Sequence, residues 1–369
     1  MYRFINIFFL IIILILTFFM LINPQETVNA SADGFKLWYS IIVPALLPFF
    51  IIAELLVSLG FVNFLGVALE PVMRPVFRLP GCSSLGVVMG FTSGFPVGAV
   101  LSKRLYDKQM ITSSEAERLV SFTNNSSPLF ILGAVGVGMF SSQALGYLLA
   151  FSQYLSNLLV GILWRFTAKN SPKTVINSDT TLLRAAWHEL LKANNENSSG
   201  IGKILGDAIK NSLNNIIAIA GFIVFFSVLT RMLSIWGIMD WIALAIMKSF
   251  AFLNFPYSVA YGTSMGIFEL TIGAQTVITC SQADLITMLL AVSLILAFSG
   301  FSVIAQVMSI MAGTPVRLSF YLLSRLIQMI ISTVITLAGY HLFIAKKQAV
   351  YSFSIPAYKI LYSFDAWSF

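Results

Sequence analysis

Charge is scarce in this chain. Only 10% of its 369 residues are Asp, Glu, Lys or Arg, 58% are apolar, and the mean hydropathy is +0.88. A soluble domain carries about 25% charged residues, and this composition could not cover one with polar surface. Cysteine and histidine are scarcer still. Cys82 and Cys280 lack metal-ligand spacing, and His188 and His341 stand alone. No disulfide framework, zinc site or nucleophile–base pair can be assembled from them. Neither a metal, a cofactor nor an enzymatic activity is expected. The short alternating strands of a membrane β-barrel are also missing.

Long apolar runs are abundant. Crossing a bilayer as a helix takes about 20 apolar residues. Phe4–Ile22 is such a run without any charge, and Leu37–Gly60 is another with only Glu54. Others lie at Gln143–Phe166, Ile209–Ile235, Leu285–Ala312 and Leu318–Ile344. The chain therefore reads as an all-α polytopic membrane protein, with the lipid bilayer as its first partner. The net charge of +7 fits loops that orient such a protein, and no nucleic-acid partner is expected. Phe4–Ile22 is expected to stay as a first membrane helix. Ala30-Ser31-Ala32 beyond it also fits a signal peptidase site, which leaves cleavage open.

The sequence repeats itself weakly. Phe49-Phe50, Met89-Gly90, Phe122 and Ser126 recur 176 positions on, as Phe225-Phe226, Met265-Gly266, Phe298 and Ser302. Each half runs from a long apolar helix through two interrupted segments to a closing apolar helix. The linker between them, about Thr167–Gly206, carries a polar Asn194–Gly200 run and sits among seven Lys and Arg residues. The positive-inside rule places it in the cytoplasm. Re-entrant hairpins at Gly81–Leu101 and Pro256–Thr276 then put the N-terminus inside and Ile278–Asp284 outside, at the cost of Lys346-Lys347 falling outside. Each half has three crossings, so the copies are expected to be inverted, as in many secondary transporters.

Four polar interruptions attract attention. Phe91–Gly98 holds Thr92, Ser93, Gly94 and Pro96 inside apolar sequence. Non-helical backbone at membrane depth survives only where protein or a wet cavity satisfies it. Ser121–Pro128 holds Thr123, Asn124, Asn125 and Ser126. Its counterpart holds Ser299, Gly300 and Ser302, with Gln306 nearby. Glu269, followed by Thr271 and Gly273, puts an acid at the second hairpin tip. An intramembrane acid binds a cation, carries a proton or pairs with a base. Arg317 and Arg325 are the bases suggested by type. The alternatives are close helix packing through small residues, a helix start at Pro128 and buried ion pairs. Function is favoured for Glu269 and structure for Glu54.

Leu46–Phe50, Leu69–Pro75, Ser93–Ala99, Glu115–Asn124 and Phe268–Gly273 together resemble the YlbJ family of sporulation integral membrane proteins. The resemblance runs from about Gly34 to Tyr340. That family is grouped with the nucleoside-recognition, or gate, proteins. The resemblance implies a fold similar to the concentrative nucleoside transporters, with two inverted repeats, re-entrant hairpins and broken helices. It also implies a bacterial endospore former, and it transfers no substrate. On this basis 1–32 is an N-terminal helix, 33–166 a first gate-like repeat, 167–206 the linker, 207–345 a second repeat and 346–369 a tail. The expected function is binding or moving a small polar solute, with a coupling cation as a further partner and a homo-oligomer left open. The rival is a non-transporting scaffold for spore-envelope assembly. A cavity joining the four polar segments would separate the two.

Overall fold

A computed structural model of the chain describes residues 2–167, 182–196, 200–251, 255–279 and 283–345. Among these residues every regular element is a helix. Four helices are long and apolar enough to cross a bilayer: Gln143–Thr167, Ile201–Ile235, Leu285–Ile310 and Leu318–Ile344. Two bent pairs, Leu10–Ile22 with Pro24–Ser40 and Phe50–Ser58 with Phe61–Ala68, bring the number to as many as six. The chain is thus an all-α integral membrane protein. Lys346-Lys347 with the tail, and Ser198, Cys280 and Ser281, lie outside the described residues.

The first helix, α1 (Tyr2–Ile22), turns by 105° at Asn23 into α2 (Pro24–Leu37). Pro24 opens that helix, where its missing N–H would have had no partner anyway. α2 runs on through a wider π turn, Trp38–Ile42, into α3 (Val43–Ser58). The extra residue in that turn makes room for Pro44, whose ring crowds the carbonyl one turn back. The long helix expected from Leu37 thus begins at Pro24, and Ala30-Ser31-Ala32 lies within it. There follow α4 (Phe61–Ala68), α5 (Glu70–Phe77), α6 (Ser84–Ser93), α7 (Val97–Asp107) and α8 (Ser113–Thr123). A π-helical segment, Leu129–Met139, and α9 (Gln143–Trp164) close the first half. α10 (Leu182–Glu196) lies in the linker. The second half holds α11 (Ile201–Ile235), α12 (Ile238–Ser249), α13 (Tyr257–Phe268), α14 (Leu270–Ile278), α15 (Leu285–Phe298), α16 (Gly300–Ile310) and α17 (Leu318–Gly339).

The order of elements recurs. The continuous helix α2–α3 and α11 both run 35 residues. Each ends at a left-handed glycine, Gly60 or Gly237, and leads into a short helix, α4 or α12. A hairpin comes next, α6–α7 or α13–α14. Then a helix breaks: α8 gives way to the π segment, and α15 to α16. Helices α9 and α17, of 22 residues each, close the halves. Counterparts pack on one another antiparallel. Glu26, Trp38 and Glu54 along α2–α3 meet Arg231, Ile216 and Asn211 in descending order along α11. Gln153 and Trp164 of α9 meet Ser332 and Ser324 of α17. Cross-contacts are reciprocal, α7 against α16 and α14 against the π segment.

The hairpins close on bare backbone. A methyl at Gly90 would lie 2.2 Å from the Thr123 carbonyl oxygen, and one at Gly98 would lie 2.5 Å from the same atom. Both arms of the first hairpin therefore clamp the end of α8. In the second hairpin a methyl at Gly273 would lie 2.2 Å from the Gly266 Cα. Gly90→Ala and Gly273→Ala should each destabilise the protein by about 1–3 kcal/mol through overpacking. Gly202→Ala and Gly221→Ala, with nothing within 4 Å, should leave stability unchanged or slightly higher. Thermal unfolding in detergent compares the four; equal midpoints would contradict the clamp.

Candidate functional site

Each interruption expected from the sequence ends a helix inside the fold. The first tip is Gly94-Phe95-Pro96, between α6 and α7, with Gly94 at φ +85°. A side chain there would meet Ser127 N at 2.6 Å, so glycine lets the tip press against the neighbouring break. That break begins at Asn124, whose backbone turns extended and stops α8. Pro128 then opens the π segment, with Ser127 Oγ accepting from Phe130 N at 3.1 Å.

The second tip is Glu269 itself, extended between α13 and α14. Its carboxylate caps α14, accepting from Ile272 N at 2.7 Å. An anion at a helix N-terminus is stabilised by the free N–H groups and the helix dipole. The second break is Ser299-Gly300, both left-handed. Gly300 packs against the Gly266 and Phe268 carbonyls.

A cavity of about 390 Å³ lies where the two tips and the first break meet α16. The first tip gives it Ser93 and Gly94, the first break Ser126 and Ser127, the second tip Glu269 and Thr271, and α16 Ser302 and Gln306. Leu37, Ile219 and Ile223 of the two long helices and Phe130 of the π segment supply apolar wall. Ser93 Oγ and Ser126 Oγ are buried with no hydrogen-bond partner, and Glu269 is 5% exposed. Gln306 reaches Ser302 Oγ at 3.4 Å. The lining combines one carboxylate, serine side chains and an amide with apolar wall. It can hold a solute with hydrogen-bond donors or a positive group.

The other residues singled out in the sequence face elsewhere. Asn124 Oδ1 accepts from Ala99 N at 3.1 Å and its amide donates to Val120 O, so it ties the break to α7. Thr123 Oγ1 donates to Leu119 O, and the Asn125 amide to Phe122 O. Thr92 donates to Val88 O and borders a separate, outer pocket with Gln143 and Tyr147. The Pro96 carbonyl accepts from Ala99 N and Val100 N. Ser299 donates to Leu296 O.

The bases do not pair as residue type suggested. Arg317 binds Glu117 with two bonds of 2.9 Å. Arg325, 0% exposed, donates to the Asn124 carbonyl at 3.1 Å, to the Ser121 carbonyl and to Asn157 Oδ1. It forms no ion pair among the described residues. A cation thus neutralises the carbonyl end of the broken α8, where the dipole is negative. Glu54 pairs with Arg104 and accepts from Asn211 at 3.4 Å, which makes it a structural tie between α3, α7 and α11. Sequence reasoning missed a buried polar seam. Gln153 of α9 bonds Ser293 O and Ser332, Gln328 bonds Gln153, and Ser293 bonds Thr336. Its signal was the helical spacing of Gln328, Ser332 and Thr336 along one face of an apolar helix. Among the described residues no group of three His, Cys, Asp or Glu is placed to hold a metal ion.

A family profile described as nucleoside recognition matches residues 40–144, from the π turn ahead of α3 to the start of α9. The sporulation integral membrane protein YlbJ of Bacillus subtilis is 40% identical over 318 residues, covering 85% of this chain and 78% of that protein. An uncharacterized protein of Alkalihalophilus pseudofirmus is 29% identical over 163 residues, covering 43% of this chain and 34% of that protein. A solved structure of a CNTnw double variant in an outward-facing state aligns over 86% of each chain, at 12% identity and a TM-score of 0.38. That is a loose likeness.

Proposed function

We propose that this chain, which belongs to the family of the sporulation integral membrane protein YlbJ, binds a small polar solute in the central cavity and carries it across the membrane during endospore formation. The observation that carries this reading is the convergence of both tips, the first break and α16 on one chamber lined by a carboxylate and by two serines whose hydroxyls have no partner. A scaffold has no use for such a chamber, because packing alone would fill it with apolar side chains. Glu269 takes a coupling cation or the solute's positive group, while Ser93, Ser126, Thr271 and Gln306 orient the rest. The two halves act as inverted repeats, a reading supported by the antiparallel packing of α2–α3 on α11 and of α9 on α17.

Thermal stability of the purified protein against a panel of amines, amino acids, sugars, nucleosides and alkali cations tests the binding. A ligand at a hundred times its Kd stabilises by about 2.7 kcal/mol, a readily measured rise in midpoint. A panel without any such rise would count against the solute reading. The linker side is the cytoplasmic one in this reading. A cysteine replacing Lys192 should be closed to an impermeant reagent added to intact cells, and one replacing Asp284 open to it. The reverse pattern would invert the topology.

A further inference from the structure

α10 carries a feature that solute binding does not use. It packs on α4 through Ala186, which is 0% exposed. One helical row over, Leu183, Trp187 and Leu191 are 68%, 57% and 44% exposed. These residues stand one turn apart and form a continuous apolar stripe. The adjoining row is Arg184, His188 and Lys192, all exposed. The helix therefore presents an apolar stripe edged on one side by basic groups.

Its position decides what covers the stripe. α4 is the second arm of a bent apolar pair, turned 79° from the end of α3. The same end of α3 lies beside the N-terminal third of α11, where Glu54 accepts from Asn211. At 1.5 Å per residue α11 is about 52 Å long, against a hydrocarbon core of about 30 Å. Its first turns, with Lys203, Asp207 and Lys210 beside exposed Ile201 and Leu205, thus belong to the headgroup layer. α10 lies at that level. Tryptophan favours this layer, and basic residues there attract anionic lipid phosphates. Three large apolar side chains left in water would forgo about 1.5–3 kcal/mol each.

We infer that α10 is an in-plane membrane anchor. Leu183, Trp187 and Leu191 enter the acyl boundary of the leaflet on the linker side, and Arg184 and Lys192 hold the phosphates of anionic lipids. The linker and α4 are thereby fixed to the bilayer surface, independently of what the cavity binds.

Spin labels test this on the full chain with Cys82 and Cys280 replaced by Ser, in phosphatidylcholine vesicles with and without phosphatidylglycerol. Labels are placed singly at Leu183→Cys, Trp187→Cys, Leu191→Cys, His188→Cys and Lys192→Cys. The oxygen-to-nickel-complex accessibility ratio should be at least about threefold higher on the 183/187/191 row than at 188 and 192, as for an interfacial helix. The immersion of the row should deepen with phosphatidylglycerol, and Arg184→Gln with Lys192→Gln should remove that dependence. Greater nickel than oxygen access along the row would place it in water and overturn the anchor. Low access to both reagents would mean that protein covers it, a partner or a second copy, and would overturn it too. Should one cysteine impair folding, the other two report the same row.

Discussion

Replacing Glu269 with Gln should leave the protein in the membrane at its wild-type level and abolish its contribution to spore formation. The amide has the volume of the acid, and its oxygen can still accept from Ile272 N, the bond that caps α14. Weakening a cap costs about 1 kcal/mol, well within the stability of a folded domain. The lost charge matters more. A cation or charged donor in the cavity loses a charge-assisted bond of about 1.5–3 kcal/mol, a fall in affinity of roughly 10–100-fold. Heat-resistant spore counts, with immunoblots of the membrane fraction, measure both halves of the expectation. Glu54→Gln should be milder, because that acid is engaged by Arg104 and Asn211 away from the cavity. A Glu269→Gln strain that sporulates normally would remove the acid from the function.

The largest loss of stability should come from Arg325→Ala. The side chain is fully buried and serves two backbone carbonyls at the end of α8 and Asn157 of α9. Truncation strands those acceptors, at about 1–3 kcal/mol each, and leaves a cavity besides. A total on the order of 3–5 kcal/mol is comparable with breaking a buried ion pair from one side, and it takes up much of a marginal fold. Little protein should survive detergent extraction. Arg325→Lys should recover part of it, since an ammonium still donates but lacks the planar fork. Arg317→Ala, which removes a solvent-exposed partner of Glu117, should cost far less. An Arg325→Ala protein that melts at the wild-type midpoint would refute the helix-end role.

The fold class was legible because twenty-residue apolar runs have few other uses, and the four interruptions were legible because polar groups in hydrocarbon are costly whoever satisfies them. That same cost hides the partner. Asn124 and Ser126 look alike in sequence, yet Asn124 spends its side chain on Ala99 N and Val120 O, while Ser126 lines the cavity and its buried Oγ has no hydrogen-bond partner. Residue type offered Arg317 and Arg325 as alternative ion-pair partners for Glu269 and Glu54. The backbone supplied other solutions, helix ends for Glu269 and Arg325 and a nearer base for Glu54. The start of the long first helix escaped notice because Glu26, Asp33 and Lys36 break the apolar pattern of α2, which is held by α11 instead.

The seat of Arg325 also bears on how the chain is made. An unpaired arginine within a crossing helix costs up to about 3 kcal/mol during translocon-mediated insertion. Ser121, Asn124 and Asn157, which satisfy it, belong to the first half and leave the ribosome at least 168 residues sooner. The early segments thus act as the reception site for a late and otherwise reluctant one, and the order of synthesis is also an order of assembly. A second half made alone, residues 200–369, should leave α17 partly uninserted in glycosylation mapping. Co-expressing residues 1–199 should bring it back into the bilayer, and full insertion of the lone half would show that α17 needs no such host.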